Sequence, residues 1–405
     1  MKRKVGMILI AVVLVVTLVM AGCAKPGPAP GGKTLKIGSL VSLEFPLGVD
    51  CQKQLDALVP AFNKAGGLVI GGERYNIDLI LYNSKMDAET GKAAVERLVH
   101  QDKVKFILGD ETADAWIPVT EENKVLVAAI SPSPTVLNPD YKYFFQAGPH
   151  HTQAPTIWGW LTETHPELKT VGAVFPDRLN GHAEADHLQQ LCNTFGQKLV
   201  VVEFYPPDTT DFSAIATKVK AANPDIFTTC AGGTLQDSLA YKALHESGWR
   251  GQICAYVGIS PGAMAKVISL DMVEGMLAPM VAPELDSPPP AAQELRDVYS
   301  AKYGDWDNDN PTVLFIDAWY CMLAGLEQAQ SLDPDKVAAV IGNGMKYESG
   351  AGPAMMISRP DVGNPRTIDT LFVSYIGKIT GGDAELIRTI SLEEGLKYVA
   401  EGYGW

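Results

Sequence analysis

The chain has 405 residues, long enough for two domains, and carries 47 acidic against 33 basic side chains for a formal charge of −14. An acidic chain without basic clusters excludes nucleic acid as a partner and excludes electrostatic binding to anionic lipid.

Lys2, Arg3 and Lys4 open the chain, an unbroken apolar run follows over residues 5–20, and Met20-Ala21-Gly22-Cys23 closes it. The run is short for a spanning helix and is flanked as a signal peptide is. Small residues before a lone cysteine resemble the lipobox of bacterial lipoproteins, although Met20 replaces the usual Leu, Val or Ile. That resemblance implies that residues 1–22 are a signal peptide and that Cys23 is diacylated as the mature N-terminus. The alternative is an uncleaved signal anchor with an incidental cysteine. Residues 23–33, rich in Pro and Gly, read as a flexible tether.

Strand-like apolar runs and amphipathic helical stretches then alternate, the pattern of parallel sheets covered on both faces. Residues 35–38 open it. Leu55, Leu58, Val59 and Phe62 predict an apolar helix face ending at Gly66-Gly67, with Pro60 on the far side. Strands are predicted at 75–82, 104–109, 125–130 and 143–146, with Asp87 capping the helix between the first two. A second series has strands at 171–175, 199–204, 225–230 and 252–256 and helices at 183–195, 212–222 and 235–247. After Pro279 the texture changes: a Pro-rich stretch at 287–290, then helices at 292–303, 313–329 and 334–341. Cys51, Cys192, Cys230, Cys254 and Cys321 are too scattered and odd in number for a disulfide framework and lack zinc-ligand spacing. They read as buried free thiols, with Cys230 and Cys254 placed to end neighbouring strands.

Several dispersed segments resemble one family, the leucine/isoleucine/valine-binding proteins, type I solute-binding components of branched-chain amino acid importers. Leu35-Lys36-Ile37-Gly38 with Pro46-Leu47-Gly48 is similar to the family's first strand and ligand loop. Phe62-Asn63-Lys64-Ala65-Gly66-Gly67 resembles "INAAGG", and residues 104–109 resemble "VKFVVG". Ile130-Ser131-Pro132-Ser133-Pro134-Thr135 with Asn138-Pro139 resembles "ISPAATNP". Asp211-Phe212-Ser213 and Pro224-Asp225-Ile226-Phe227 stand where the family has "DFS" and "PDVVY". The resemblance implies an α/β fold of two Rossmann-like lobes with parallel central sheets, joined by a three-crossover hinge: the periplasmic-binding-protein type I architecture. Its division would be lobe 1 at 34–148 and 279–370, lobe 2 at 149–278, and a C-terminal segment, 371–405, returning to lobe 2 and the hinge.

Ligands of open α/β sheets sit beyond the carboxyl ends of the strands. By resemblance, Ser133 and Thr135 match positions that hold a ligand carboxylate, and Thr112 matches a hydroxyl-rich loop more loosely. Asp110 and Glu111 either meet a ligand cation or hydroxyl or are solvated loop charges. Glu44 and Phe45 lie on the first ligand loop, and Phe45 or Trp116 either stacks on a ligand ring or belongs to the core. In lobe 2 the matching positions are Asn180, His182, Thr234 and Gly258, with Arg178 nearby. Gly258 stands where amino-acid-binding relatives carry the acid that pairs the ligand ammonium, and Thr234 and Asn180 replace the family's aromatics. His150-His151 follows the expected first crossing as polar hinge contacts; adjacent histidines do not readily share a metal, and no metal site is expected.

Neither a Gly-x-Ser-x-Gly elbow, a zinc-protease motif, a phosphate loop nor a dinucleotide fingerprint occurs, so neither an enzyme nor a cofactor is expected. The expected function is an extracytoplasmic, periplasmic or cell-surface, lipid-anchored binding protein. It would act as a monomer, take up a small organic ligand, a carboxylate or amino-acid-like compound, and deliver it to the permease subunits of an ABC importer. The alternative is ligand sensing through a separate receptor by the same fold; a hydrolase ranks below both.

Overall fold

A computed structural model of the chain describes residues 32–255, 261–306 and 315–405. Cys23 and the apolar leader lie outside the described residues, as do Gly258 and its neighbours.

Lobe 1 is built on β1 (Lys33–Val41), β2 (Leu68–Ile70), β3 (Glu73–Asn83), β4 (Phe106–Gly109), β5 (Leu126–Ala129) and β6 (Phe144–Gln146). They form one sheet in the order β2-β3-β1-β4-β5-β6, parallel except where β2 pairs antiparallel with β3. Alternation along the strands feeds two cores. Phe106 and Leu108 join Trp319, Met322 and Leu326 of the Asp317–Ala329 helix, whereas Ile107 joins Val95 and Leu98 of the Ala88–His100 helix. Burial of both faces is why these strands read as continuous apolar runs.

The motifs that punctuate the sequence have local causes. The Pro46–Ala65 helix ends at Gly66 with φ 121°, and Gly67 N–H donates to the Phe62 carbonyl. Asn63 holds the Ile77 backbone at both ends, N–H to Oδ1 at 2.8 Å and Nδ2 to the carbonyl at 2.9 Å. Pro60 is exposed, and Asp87 caps the next helix by accepting from Thr90 N–H.

Lobe 2 carries β7 (Thr170–Pro176), β8 (Lys198–Tyr205), β9 (Ile226–Thr229) and β10 (Gln252–Ile253), parallel in the order β10-β9-β7-β8. Asp225 staples its entry edge: Oδ2 accepts from Lys169 N–H, Thr170 N–H and the Thr170 hydroxyl. Asp211 turns the chain into the Ser213–Ala222 helix, accepting from Ser213 N–H at 2.9 Å. The five cysteines among the described residues are buried and form no disulfide, and Cys230 and Cys254 follow the adjacent strands β9 and β10.

In the last third the expected helices appear at Pro290–Tyr303, Asp317–Ala329 and Pro334–Ile341, whereas the strands from Leu277 onward had no counterpart in the sequence reading. β11 (Leu277–Met280) bridges to Cys254 and so extends the lobe 2 sheet. The chain returns to lobe 1 through the Pro290–Tyr303 and Asp317–Ala329 helices and an antiparallel sheet of β12 (Lys346–Ser349), β13 (Gly352–Arg359) and β14 (Asn364–Phe372). β15 (Ser374–Thr380) and β16 (Asp383–Ile390) then pair with β11, and a Leu392–Tyr403 helix packs against lobe 2. The Gln153–Thr164 helix had no sequence signal because residues 154–161 are buried on every side, which erases the amphipathic period.

Two glycines seat helix starts against strand ends. A Cβ on Gly48 would lie 1.9 Å from the Ser42 carbonyl oxygen, and one on Gly181 would lie 2.0 Å from the Pro176 carbonyl oxygen. Both neighbours are backbone, so neither can turn aside. Gly48→Ala and Gly181→Ala are therefore each expected to cost about 1–3 kcal/mol, read as a lowered melting temperature. An unchanged melting temperature would count against this close approach.

Candidate functional site

The two lobes meet at three crossings. Residues 147–152 leave β6, Val281 follows β11, and Val373 separates β14 from β15. Pro149, Thr152, Met280, Val281, Phe372 and Val373 line one cavity there. Gly148 N–H donates to Asp317 Oδ2 at 2.9 Å, and the Tyr347 hydroxyl donates to the same oxygen at 2.8 Å. The Thr152 hydroxyl donates to the Thr370 carbonyl at 2.6 Å, and the Thr370 hydroxyl to the Gln146 carbonyl at 2.8 Å.

On the lobe 1 side, Ser133 and Thr135 come together: their hydroxyl oxygens are 2.7 Å apart. The Thr135 hydroxyl also donates to Asp114 Oδ1 at 2.5 Å, and Ser131 donates to Asp114 Oδ2 at 3.0 Å. Asp114 was not singled out from the sequence, since no motif marks it. Asp110 is not a solvated loop charge. It is buried and accepts from the Ser84 hydroxyl, from Thr112 N–H at 3.1 Å and from the Thr112 hydroxyl at 2.6 Å. Thr112 in turn accepts from Trp116 Nε1 at 3.0 Å, so this loop carries its own buried network. Trp116 is fully buried core and cannot stack on a ligand. Glu44 is exposed and accepts from Asn83 Nδ2 at 3.2 Å; Phe45 beside it is 37 % exposed. Behind them Leu40, Leu47, Cys51, Met86, Leu108 and Trp319 line an apolar pocket of about 450 Å³, its open mouth included, with Ser42 and Asp110 among its walls.

Glu111 faces the other lobe. Burial raises its carboxyl above the usual range; His150 and Arg178 oppose that shift, while Asp110 and Glu184 add to it. Arg178 donates through Nη2 to the Ala231 carbonyl, at a non-glycine residue held at φ 67°, while its buried Nε has no partner. Asn180, in the first turn of the Leu179–Thr194 helix, has a buried Oδ1 that is likewise without a partner. His182 is bonded to Asp177 Oδ1 at 2.8 Å and stacked on Phe204 with ring centres 4.2 Å apart. Thr234 starts the Thr234–Glu246 helix, half-buried, and Gly258 lies outside the described residues.

Between the lobes sits a histidine group. His150 Nε2 lies 3.2 Å from Glu184 Oε1. Burial alone would lower His150, yet the bond and charge of Glu184, with Glu111 and Asp369 beyond, hold it above the usual histidine value. Burial pushes His187 down to about 4, Glu184 opposing and the positive neighbours assisting. The Tyr403 hydroxyl donates to the His151 carbonyl at 2.7 Å and stands 3.1 Å from His187 Nε2. Neither these histidines nor any other His, Cys, Asp and Glu side chains among the described residues form a metal-ligating group of three.

A model of the periplasmic binding protein family matches residues 34–370. The leucine-, isoleucine-, valine-, threonine- and alanine-binding protein of Pseudomonas aeruginosa is 24 % identical over 292 residues, 70 % of this chain and 74 % of that protein. Among solved structures, an R. palustris ABC-transporter solute-binding protein in complex with benzoate superposes with a TM-score of 0.69 at 14 % identity, covering 88 % of this chain and 96 % of that one. A branched-chain amino acid substrate-binding protein of Streptococcus pneumoniae in complex with isoleucine gives 0.68 at 17 %, covering 88 % and 99 %.

Asp317, fully buried where the first crossing leaves lobe 1, sets a pH dependence. Burial raises its carboxyl from the ordinary 3.8 to about 7, against the bonds from Ser349, Tyr347 and Gly148. The folded protein then holds a proton that the unfolded chain releases between these values, so this group makes stability fall as pH rises from 4 to 7. Asp317→Asn should remove that contribution. The variant's stability relative to wild type should rise across the window by up to about 1.4 kcal/mol per pH unit. Parallel melting-temperature curves for the two proteins from pH 4 to 8 would refute it.

Proposed function

The chain belongs to the periplasmic binding protein family, among the leucine/isoleucine/valine-binding proteins, and on that premise we propose that it is an extracytoplasmic solute-binding lipoprotein. It captures a small organic ligand, a carboxylate or amino-acid-like compound, and presents it to the permease subunits of an ABC importer. The observation that supports this reading is the match of residues 34–370 to the periplasmic binding protein family, on two lobes whose strand-end loops carry Ser133 and Thr135 on one side and Arg178 and Asn180 on the other. Lobe 1 contacts come from Glu44, Phe45, Ser133 and Thr135 together with Glu111, and lobe 2 contacts from Asn180, His182, Thr234 and Gly258. The apolar pocket behind Phe45 takes the ligand's hydrocarbon part. A ligand touching both lobes favours the closed state by its differential contacts, and nothing in such a cleft is tuned to a transition state.

Two measurements test this. Denaturing the purified protein and analysing what it releases by mass spectrometry should yield one enriched small molecule. Adding that molecule at about a hundred times its dissociation constant should stabilise the fold by about 2.7 kcal/mol and reduce the radius of gyration in small-angle scattering. Tight binding with an unchanged radius would argue against closure.

The anchor is tested separately. Gly22-Cys23 after the apolar leader motivates the proposal that mature protein starts at an acylated Cys23. Cys23→Ala should leave the protein unprocessed or release it from the membrane fraction. Identical processing and membrane retention of Cys23→Ala would end the lipoprotein assignment.

A further inference from the structure

The hydroxyl loop of lobe 1 already has an anion. Each donor in residues 131–135 has an acceptor within the chain. Ser131 N–H goes to Gln146 Oε1 at 3.1 Å and the Ser131 hydroxyl to Asp114 Oδ2 at 3.0 Å. Ser133 N–H goes to the Ser131 hydroxyl oxygen at 3.2 Å, and Thr135 N–H to that of Ser133 at 3.3 Å. With the Thr135 proton on Asp114 Oδ1 at 2.5 Å, the Ser133 proton turns to the Thr135 oxygen, 2.7 Å away. Pro134 has no N–H to offer. A ligand carboxylate placed here would find no uncommitted donor and would meet the Asp114 carboxylate through the hydroxyl it needs.

Asp114 itself is exposed, and Ser131 and Thr135 bring one donor to each of its oxygens, so each keeps a lone pair for another. Across the cleft the sign is reversed. Arg178 brings a fixed positive charge and a buried Nε without a partner.

We propose that Asp114 makes the lobe 1 loop a receptor for the cationic end of the ligand, an ammonium group, and that the anionic end turns to Arg178 on lobe 2. This inference rests on the cleft being the ligand site. It assigns specificity to a residue outside the family-like motifs and supplies from lobe 1 the counter-charge that Gly258 does not. A compound with a carboxylate and no amine is then a poor ligand, and an amino-acid-like zwitterion a good one.

Equilibrium dialysis of the purified protein against an equimolar mixture of leucine, phenylalanine, phenethylamine, phenylacetate and benzoate, with bound compounds read by mass spectrometry, tests it. Wild type should retain the ammonium-bearing compounds. Asp114→Asn preserves the shape and one acceptor for Ser131 and Thr135, so its melting temperature should be unchanged. It should nevertheless lose about tenfold or more in their retention, the equivalent of one charge-assisted hydrogen bond, and gain phenylacetate. Asp114→Glu, which keeps the charge, should retain them and guards against a folding defect in the first variant. Preferential retention of phenylacetate or benzoate by wild type, or ammonium binding untouched by Asp114→Asn, overturns the role of Asp114 and leaves ligand capture standing. Retention of no compound by wild type overturns both.

Discussion

The cleft depends on a buried strip of hydrogen bonds that clamps the first chain crossing to lobe 1. Asp317 takes the Gly148 N–H and the Tyr347 hydroxyl, while Thr370 binds Gln146 and Thr152 through its hydroxyl and its carbonyl. Backbone groups inside a hinge have no sheet partners, and leaving them unpaired would cost about 1–3 kcal/mol each. Side chains from the helix and the β12-β13-β14 sheet supply those partners. The first crossing is thus fixed on the lobe 1 side.

The histidine group lies against this strip and ties in the C-terminal helix. Arg359 pairs with Asp369 at 2.7 Å, makes a two-pronged bond to Asp361, and lies 4.0 Å from the centre of the Tyr403 ring. Burial acts to raise Asp369, but the bond and charge of His151 and then Arg359 hold it below the usual carboxylate range. Tyr403 carries the contact on to His151 and His187. Lobe 1 therefore grips the Leu392–Tyr403 helix through a buried cation and a ring, and that helix grips lobe 2 through Tyr398, which packs on Gly159. The C-terminal helix serves as a second fastening beside the crossings.

Most of the fold could be read from the sequence because parallel strands buried on both faces announce themselves as apolar runs, and because motif residues have local work. Asn63 binds Ile77, Asp225 staples Thr170 across two strands, and Asp211 accepts from Ser213 N–H where a helix begins. The C-terminal β-strands were not legible. β16 is exposed along nearly its whole length, and β13 alternates irregularly through two register shifts, so neither presents a clean period. At the site, Ser133 and Thr135 were found by resemblance, but what they touch was not. Asp114 lies 21 residues from Thr135 in sequence and belongs to no motif. Asp110 and Trp116 stand between alternatives in the sequence for the related reason that a loop residue's burial is decided by what folds over it; Trp116 is core and Asp110 is buried rather than solvated.

Five buried thiols give each lobe its own chemical clock. Burial pushes Cys51, Cys192 and Cys254 up to about 12, so at neutral pH each is held as thiol rather than as the thiolate that reacts. Exchange with an oxidant or an alkylating reagent must therefore wait for the surrounding core to open. Cys51 and Cys321 sit in lobe 1, and Cys192, Cys230 and Cys254 in lobe 2. Their labelling rates separately time the unfolding of the two halves. With no disulfide among the described residues, the chain reaches this fold without an oxidation step, and a reductant has no covalent bond there to break.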